Sequence, residues 1–144
     1  MKRTTKTRII TIFILLMFLG SSITYAIISA FPQENTVSGW AAQLFIVIYG
    51  EQYPISADIG IVGNETVGKI YTTSTDGILY KSVNEDVTLG DFFNEWNQTF
   101  NSTCILSYCN TNTSSMVMFV NGKQNSEYEY YIIQNRDVIV IDYR

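Results

Sequence analysis

Histidine is missing from all 144 residues of this chain. Without an imidazole there is no Ser-His or Cys-His pair for nucleophilic catalysis, and no side chain that titrates near neutrality in its ordinary state. Cysteine is nearly missing too: Cys104 and Cys109 stand alone, and two thiolates do not complete a tetrahedral metal site. Proline occurs only at Pro32 and Pro54. Positive charge is scarce, with nine Lys and Arg against thirteen Asp and Glu. Four of the nine (Lys2, Arg3, Lys6 and Arg8) lie in the first eight residues, so the remainder carries 5 − 13 = −8. A surface of that sign repels phosphate backbones and anionic headgroups, which excludes non-specific binding to nucleic acid. Carboxylates can act as an acid-base pair, and Asp86, Asp91 and Glu95 are the nearest cluster. Asp91 and Glu95, four apart on a helix, instead match a solvated polar stripe. The chain is therefore predicted not to be an enzyme, with no catalytic residue, cofactor or metal ligand assigned.

What the chain has in excess is apolar sequence near its start and β-forming sequence after it. The basic residues 1–8 precede Ile9 to Phe31, an uncharged run of 23 residues. As a helix rising 1.5 Å per residue, such a run is about 35 Å long, enough for the roughly 30 Å hydrocarbon layer. It is predicted as a single transmembrane anchor with the basic segment inside and the rest outside. A cleaved signal peptide, with Thr24 and Ala26 at minus-three and minus-one, and a pilin-type assembly helix are the competing readings. Residues 32–42 form a polar linker, in which Trp40 suits either a membrane interface or a core. Residues 43–144 make one extracytoplasmic domain. Asn64, Asn97, Asn101 and Asn112 each open an N-x-S/T sequon free of proline and are the predicted glycosylation sites. In such a compartment Cys104 and Cys109 are predicted to form a structural disulfide.

One soluble helix is legible. Leu89, Phe92, Phe93, Trp96 and Phe100 fall at i, i+3, i+4, i+7 and i+11, which lines one helical face. Thr88 is predicted to cap its first turn, with Asp91 answering the Thr88 N–H. Asn94, Gln98 and Asn101 take the opposite side. Extended runs are predicted at 43–49 and 53–61 around Gly50-Glu51-Gln52, at 67–72 and 78–81 around Asp76-Gly77, and at 115–120 before Asn121-Gly122. Two more, at 128–133 and 138–143, flank residues 134–137. Pro54 places an edge or an irregular start in the second run. Strands, one helix and more strands without βαβ alternation predict an α+β domain. Its mixed or antiparallel sheet would pack on one helix, in a β-grasp-like arrangement.

The segments PISADIGI (54–61), TDGIL (75–79), TLGDFF (88–93), CILSYC (104–109) and FVNGK (119–123) are similar, in order, to those of a family of uncharacterised exported, membrane-anchored archaeal and bacterial proteins. Members of that family carry a His-Thr-His-Asp element before the glycine and another histidine after it. The three histidine positions correspond here to Tyr71, Thr73 and Tyr80, and the aspartate position to Ser74. The resemblance implies the family's fold and compartment. It also implies that any metal held by those histidines has lost its ligands in this chain.

Tyrosine is abundant, ten in all, and Tyr128, Tyr130 and Tyr131 are candidate interface residues because tyrosine joins an apolar face to a hydroxyl. The expected function is that of a non-catalytic, single-span, glycosylated accessory subunit, its sheet docked on a larger membrane or cell-envelope assembly. Two alternatives are a metal or redox protein of a respiratory membrane's outer face, and an archaeal surface-filament or surface-layer component.

Overall fold

The computed structural model describes residues 39–144. The predicted basic segment, anchor and most of the linker lie outside the described residues, and among those described no helix is long and apolar enough to cross a membrane. The described chain is a strand-rich mixed α/β domain with one α-helix and a mixed sheet.

Two parallel strands make the centre of that sheet. Strand β1 (Ala41–Ile48) pairs in parallel with the last strand, β11 (Val138–Tyr143), through Gln43↔Val138 to Ile48↔Tyr143. On the far side of β11 runs β9 (Met116–Val120), antiparallel, followed by its hairpin partner β10 (Lys123–Asn125). The opposite edge of β1 is shared. Its first half pairs with β6 (Ile78–Lys81), which carries β5 (Ile70–Tyr71) outside it. Its second half pairs with β2 (Glu51–Tyr53). Two small hairpins stand apart: β3 (Ile61–Val62) with β4 (Glu65–Thr66), and β7 (Cys104–Ile105) with β8 (Tyr108–Cys109).

Turn chemistry sets these registers. Tyr49 and Gly50 have φ of 51° and 85°, and Asn121 and Gly122 have φ of 52° and 79°. Such double left-handed pairs match the strand twist of a two-residue hairpin. Gly77, at φ 76°, lies so close to β1 that a Cβ would strike the Leu44 carbonyl oxygen. Asp76 prepares that turn by accepting from the Ile78 N–H at 3.0 Å.

Helix α1 (Leu89–Glu95) begins as its sequence dictates. The Thr88 hydroxyl accepts from the Asp91 N–H at 3.1 Å while Asp91 Oδ2 accepts from the Thr88 N–H at 2.9 Å. Leu89, Phe92 and Phe93 are fully buried against Leu44, Ile46, Met118, Ile139 and Ile141. The helix stops after seven residues, yet Phe100 folds back so that its ring stacks on Phe93 at 4.5 Å. The helical period thus marked Leu89, Phe92, Phe93 and Phe100 as buried correctly, while Trp96 is only half-buried, and it overstated the helix, which ends at Glu95, by more than a turn.

Three expectations are corrected. The turn after β1 is Tyr49-Gly50, and Glu51 and Gln52 already belong to β2. The extended run expected over 53–61 stops at Tyr53, because Pro54 has no N–H for the ladder and Asp58 and Gly60 turn left-handed, with φ of 59° and 73°. The strand expected over 128–133 is a one-turn 3-10 helix at Tyr128–Tyr130. Asn125 Oδ1 accepts from the Glu127 N–H at 2.8 Å and turns the chain there. The following backbone pairs with the approach to α1, Tyr131 O accepting from the Leu89 N–H at 3.0 Å and the Ile133 N–H donating to Val87 O at 3.0 Å.

Candidate interaction face

The strands that form the centre of the sheet are apolar on both sides. In β1, Leu44, Ile46 and Ile48 point into the core while Phe45 and Val47 point the other way and are half-buried. Val140 in β11 and Val117 and Phe119 in β9 do the same. Register joins these residues. Phe45, Val140 and Phe119 are successive cross-strand partners, as are Val47, Asp142 and Val117. Partners opposite one another across a sheet share a face with Cβ atoms about 5 Å apart, so Phe45, Val140 and Phe119 form one continuous apolar row, while in the next row Asp142 stands between Val47 and Val117. Continuous apolar strands are the signature of a sheet covered on both faces. The core and helix α1 account for one of those faces.

The size of the outer face sets what it can do. Three strands about 4.8 Å apart, each with about five residues rising 3.3 Å, present roughly 240 Å². That is the scale of the apolar centre of a protein contact, short of the roughly 800 Å² a partner covers in a standard interface. Gln43 in β1 and the β10 residue Gln124, the cross-strand partner of Phe119, border the apolar row with polar groups, and Asp142 adds a carboxylate within the face beside it.

The tyrosines divide. Tyr130 is 77% exposed, more than any other large hydrophobic side chain among the described residues. Tyr128 and Tyr131 instead pack against the core, with the Tyr128 ring 6.5 Å from Phe100. The three therefore do not present one surface. A second aromatic group was not apparent from sequence: Tyr49, Tyr108 and Tyr143 meet with ring centroids 5.3 to 6.1 Å apart, and the buried Tyr143 donates its hydroxyl to Cys109 O at 2.7 Å. Tyr49, 61% exposed, tops this group.

Cys104 and Cys109 are bonded, facing each other across the β7–β8 hairpin. Ile105 and Leu106, inside the bridged loop, are buried in the core. Replacing both cysteines by serine is expected to cost about 2 kcal/mol, the closure entropy of so short a loop. Denaturation midpoints with and without reductant check this: the wild type should fall to the double variant's value on reduction, and the variant should not respond.

Sequon residues Asn64, Asn97 and Asn112 are exposed. Asn101 is half-buried, and its Oδ1 accepts from the Thr103 N–H, the Thr103 hydroxyl and the Cys104 N–H, each at 2.9 Å. Its carboxamide oxygen holds the entry to the disulfide hairpin.

A buried carboxylate missed by sequence reasoning ties the sheet to the 3-10 helix. Asp137, 4% exposed, accepts from Asn121 Nδ2 at 2.8 Å, the Tyr131 hydroxyl at 2.7 Å and the Gln134 N–H at 2.8 Å. Burial, then the bond and charge of Asp137, push the Tyr131 hydroxyl well above the ordinary tyrosine range, and burial likewise raises Tyr143. A folded-state pKa raised above the unfolded value stabilises the protein below that unfolded value. The contribution is lost as pH climbs beyond it. Stability is therefore expected to fall once pH passes about 10, where unfolded tyrosine ionises. Ultraviolet titration should show Tyr131 and Tyr143 ionising only with unfolding; Tyr131→Phe and Tyr143→Phe variants assign the late steps.

At the positions matched to the resembling family's histidines, Tyr71 and Tyr80 are cross-strand partners whose rings stack at 5.5 Å. No family model, curated protein or solved structure matches the chain.

Proposed function

We propose that this chain is a non-catalytic accessory subunit of a membrane or cell-envelope complex, tethered by Ile9–Phe31 and docked through the outer face of its sheet. The apolar row Phe45–Val140–Phe119 carries this reading, because an apolar surface bordered by polar groups is how the centre of a protein contact is built. A partner of matching chemistry presents a flat apolar patch ringed by hydrogen-bonding groups. Tyr130 is a further proposed contact, exposed in a segment whose Tyr128 and Tyr131 pack against the core.

The finer fold reading belongs to the same proposal. A parallel first and last strand, flanked by hairpins and crossed by one helix, is compatible with a β-grasp-like domain. Membership of the His-Thr-His-Asp family, with the histidine positions taken by Tyr71, Thr73 and Tyr80, and glycosylation at the sequon asparagines complete it.

Purification of the full chain in mild detergent after crosslinking tests the function. A partner recovered in fixed ratio is expected, and Phe119→Lys should remove it while leaving the thermal midpoint of the subunit close to wild type. A monomer recovered alone would contradict the proposal. Intact mass in the same preparation should exceed that of the bare polypeptide; an unmodified mass would remove glycosylation from the account.

A further inference from the structure

On the helix side of the domain, away from the outer sheet face, the chain encloses a groove of about 360 Å³ between residues 56–62, Val67 and the end of α1. That volume lies within the range of small-molecule sites. Two glycines create it. The Val67 and Gly68 N–H groups both donate to Gly60 O at 2.9 Å, and a Cβ on Gly68 would come within 3.0 Å of Gly60 Cα and of the Glu95 carboxylate. The backbones close here because neither position carries a side chain.

The lining has a definite chemistry. Trp96 forms one wall, its indole N–H fixed by the Ser56 hydroxyl at 3.1 Å, with Tyr53 leaning on it at 6.5 Å. Ile61, Val62 and Val67 form the other, and the two valines are 67% and 62% exposed. Asp58 and Glu95 supply two carboxylates, and no Lys or Arg lines the groove. Lys69, whose N–H donates to Glu95 Oε1 at 3.3 Å, turns its ammonium to Glu85 at 2.8 Å. An indole, two carboxylates against the single neighbouring charge of Lys69, which is paired with Glu85, and an aliphatic rim suit one class of ligand: a cation with apolar substituents, attracted by the indole and the acids while its carbon atoms meet the valines.

We propose that this groove binds a small organic cation of the alkylated ammonium class. Asp58 and Glu95 neutralise it, Trp96 meets its charge face-on, and Val62 and Val67 cover its alkyl groups. This site is independent of the docking face.

Ligand-observed NMR on the detergent-solubilised full chain tests it, with choline as the cation and 3,3-dimethylbutan-1-ol as its neutral isostere. Choline should saturate the protein, and the alcohol should bind at least about tenfold more weakly, the ratio that roughly 1.4 kcal/mol produces. Glu95→Gln keeps an acceptor for the Lys69 N–H, and Asp58→Asn keeps a residue that tolerates positive φ, so both variants retain the fold. Each should weaken choline severalfold with an unchanged thermal midpoint. Equal binding of cation and alcohol, indifference to both substitutions, or no saturation by choline at tens of millimolar would each overturn the proposal.

Discussion

Asp137→Ala is expected to lower the stability of the domain by about 3 kcal/mol, because three donors, one on the half-buried Tyr131 and two on the exposed residues Asn121 and Gln134, lose a buried charged acceptor at once. The donors come from three places: the β9–β10 turn at Asn121, the residue after the 3-10 helix at Tyr131, and the loop entering β11 at Gln134. Asn121 has a second duty, its Oδ1 accepting from the Val138 N–H at 2.9 Å, so a change at Asp137 reaches the central strand. Asp137→Asn keeps the shape and an acceptor oxygen and should cost less than the alanine variant. Tyr131→Phe removes only one donor and should cost least, about 1.5 to 3 kcal/mol. Denaturant midpoints of the three variants should fall in that order. If Asp137→Ala lay within about 0.5 kcal/mol of wild type, as substitutions on open surface do, the buried network would be wrong.

Phe93→Ala is expected to cost about 3 to 5 kcal/mol, the range for emptying a buried phenylalanine site. Phe93 is fully buried and touches three aromatic rings, those of Phe92, Trp96 and Phe100, at 4.5 to 5.8 Å. Phe100 reaches this position from outside the helix, so removing its stacking partner should loosen the loop that leads to the disulfide hairpin. Hydrogen exchange can show this. Protection should fall first over residues 97–109 in Phe93→Leu, which keeps most of the volume, while the central strands hold. Uniform loss across the sheet would mean that Phe93 serves the core alone.

The sequence showed what local rules decide. Thr88 and Asp91 announced the helix start because a capping box needs only residues three apart. Asn121-Gly122 and the alternation in 116–120 fixed one hairpin, and Val138–Tyr143 was predicted to the residue. Cys104 and Cys109 were the only pair available to bond. What escaped was decided by partners distant in sequence. Tyr-Tyr-Ile-Ile at 130–133 has strand-forming side chains, but its backbone is claimed by residues 87–89, more than forty positions away. Asp137 looked like an ordinary turn residue until Asn121 and Tyr131 converged on it. The groove could not be foreseen, since Asp58 and Glu95 come to line one cleft only in a fold where Gly60 and Gly68 let two backbones touch. The outer sheet face did leave a trace. LFIVI, MVMFV and VIVI are apolar without interruption, where a half-solvated strand would alternate.

The outer face decides whether the chain is a docking subunit, and a photocrosslinking residue placed at Phe119 in the full chain in intact cells interrogates it directly. Position 119 should give one discrete adduct with a specific membrane or envelope protein, while the same probe at Asn94, exposed on the helix, should give none. Adducts of equal yield from both positions, or none from 119, would contradict docking through the sheet.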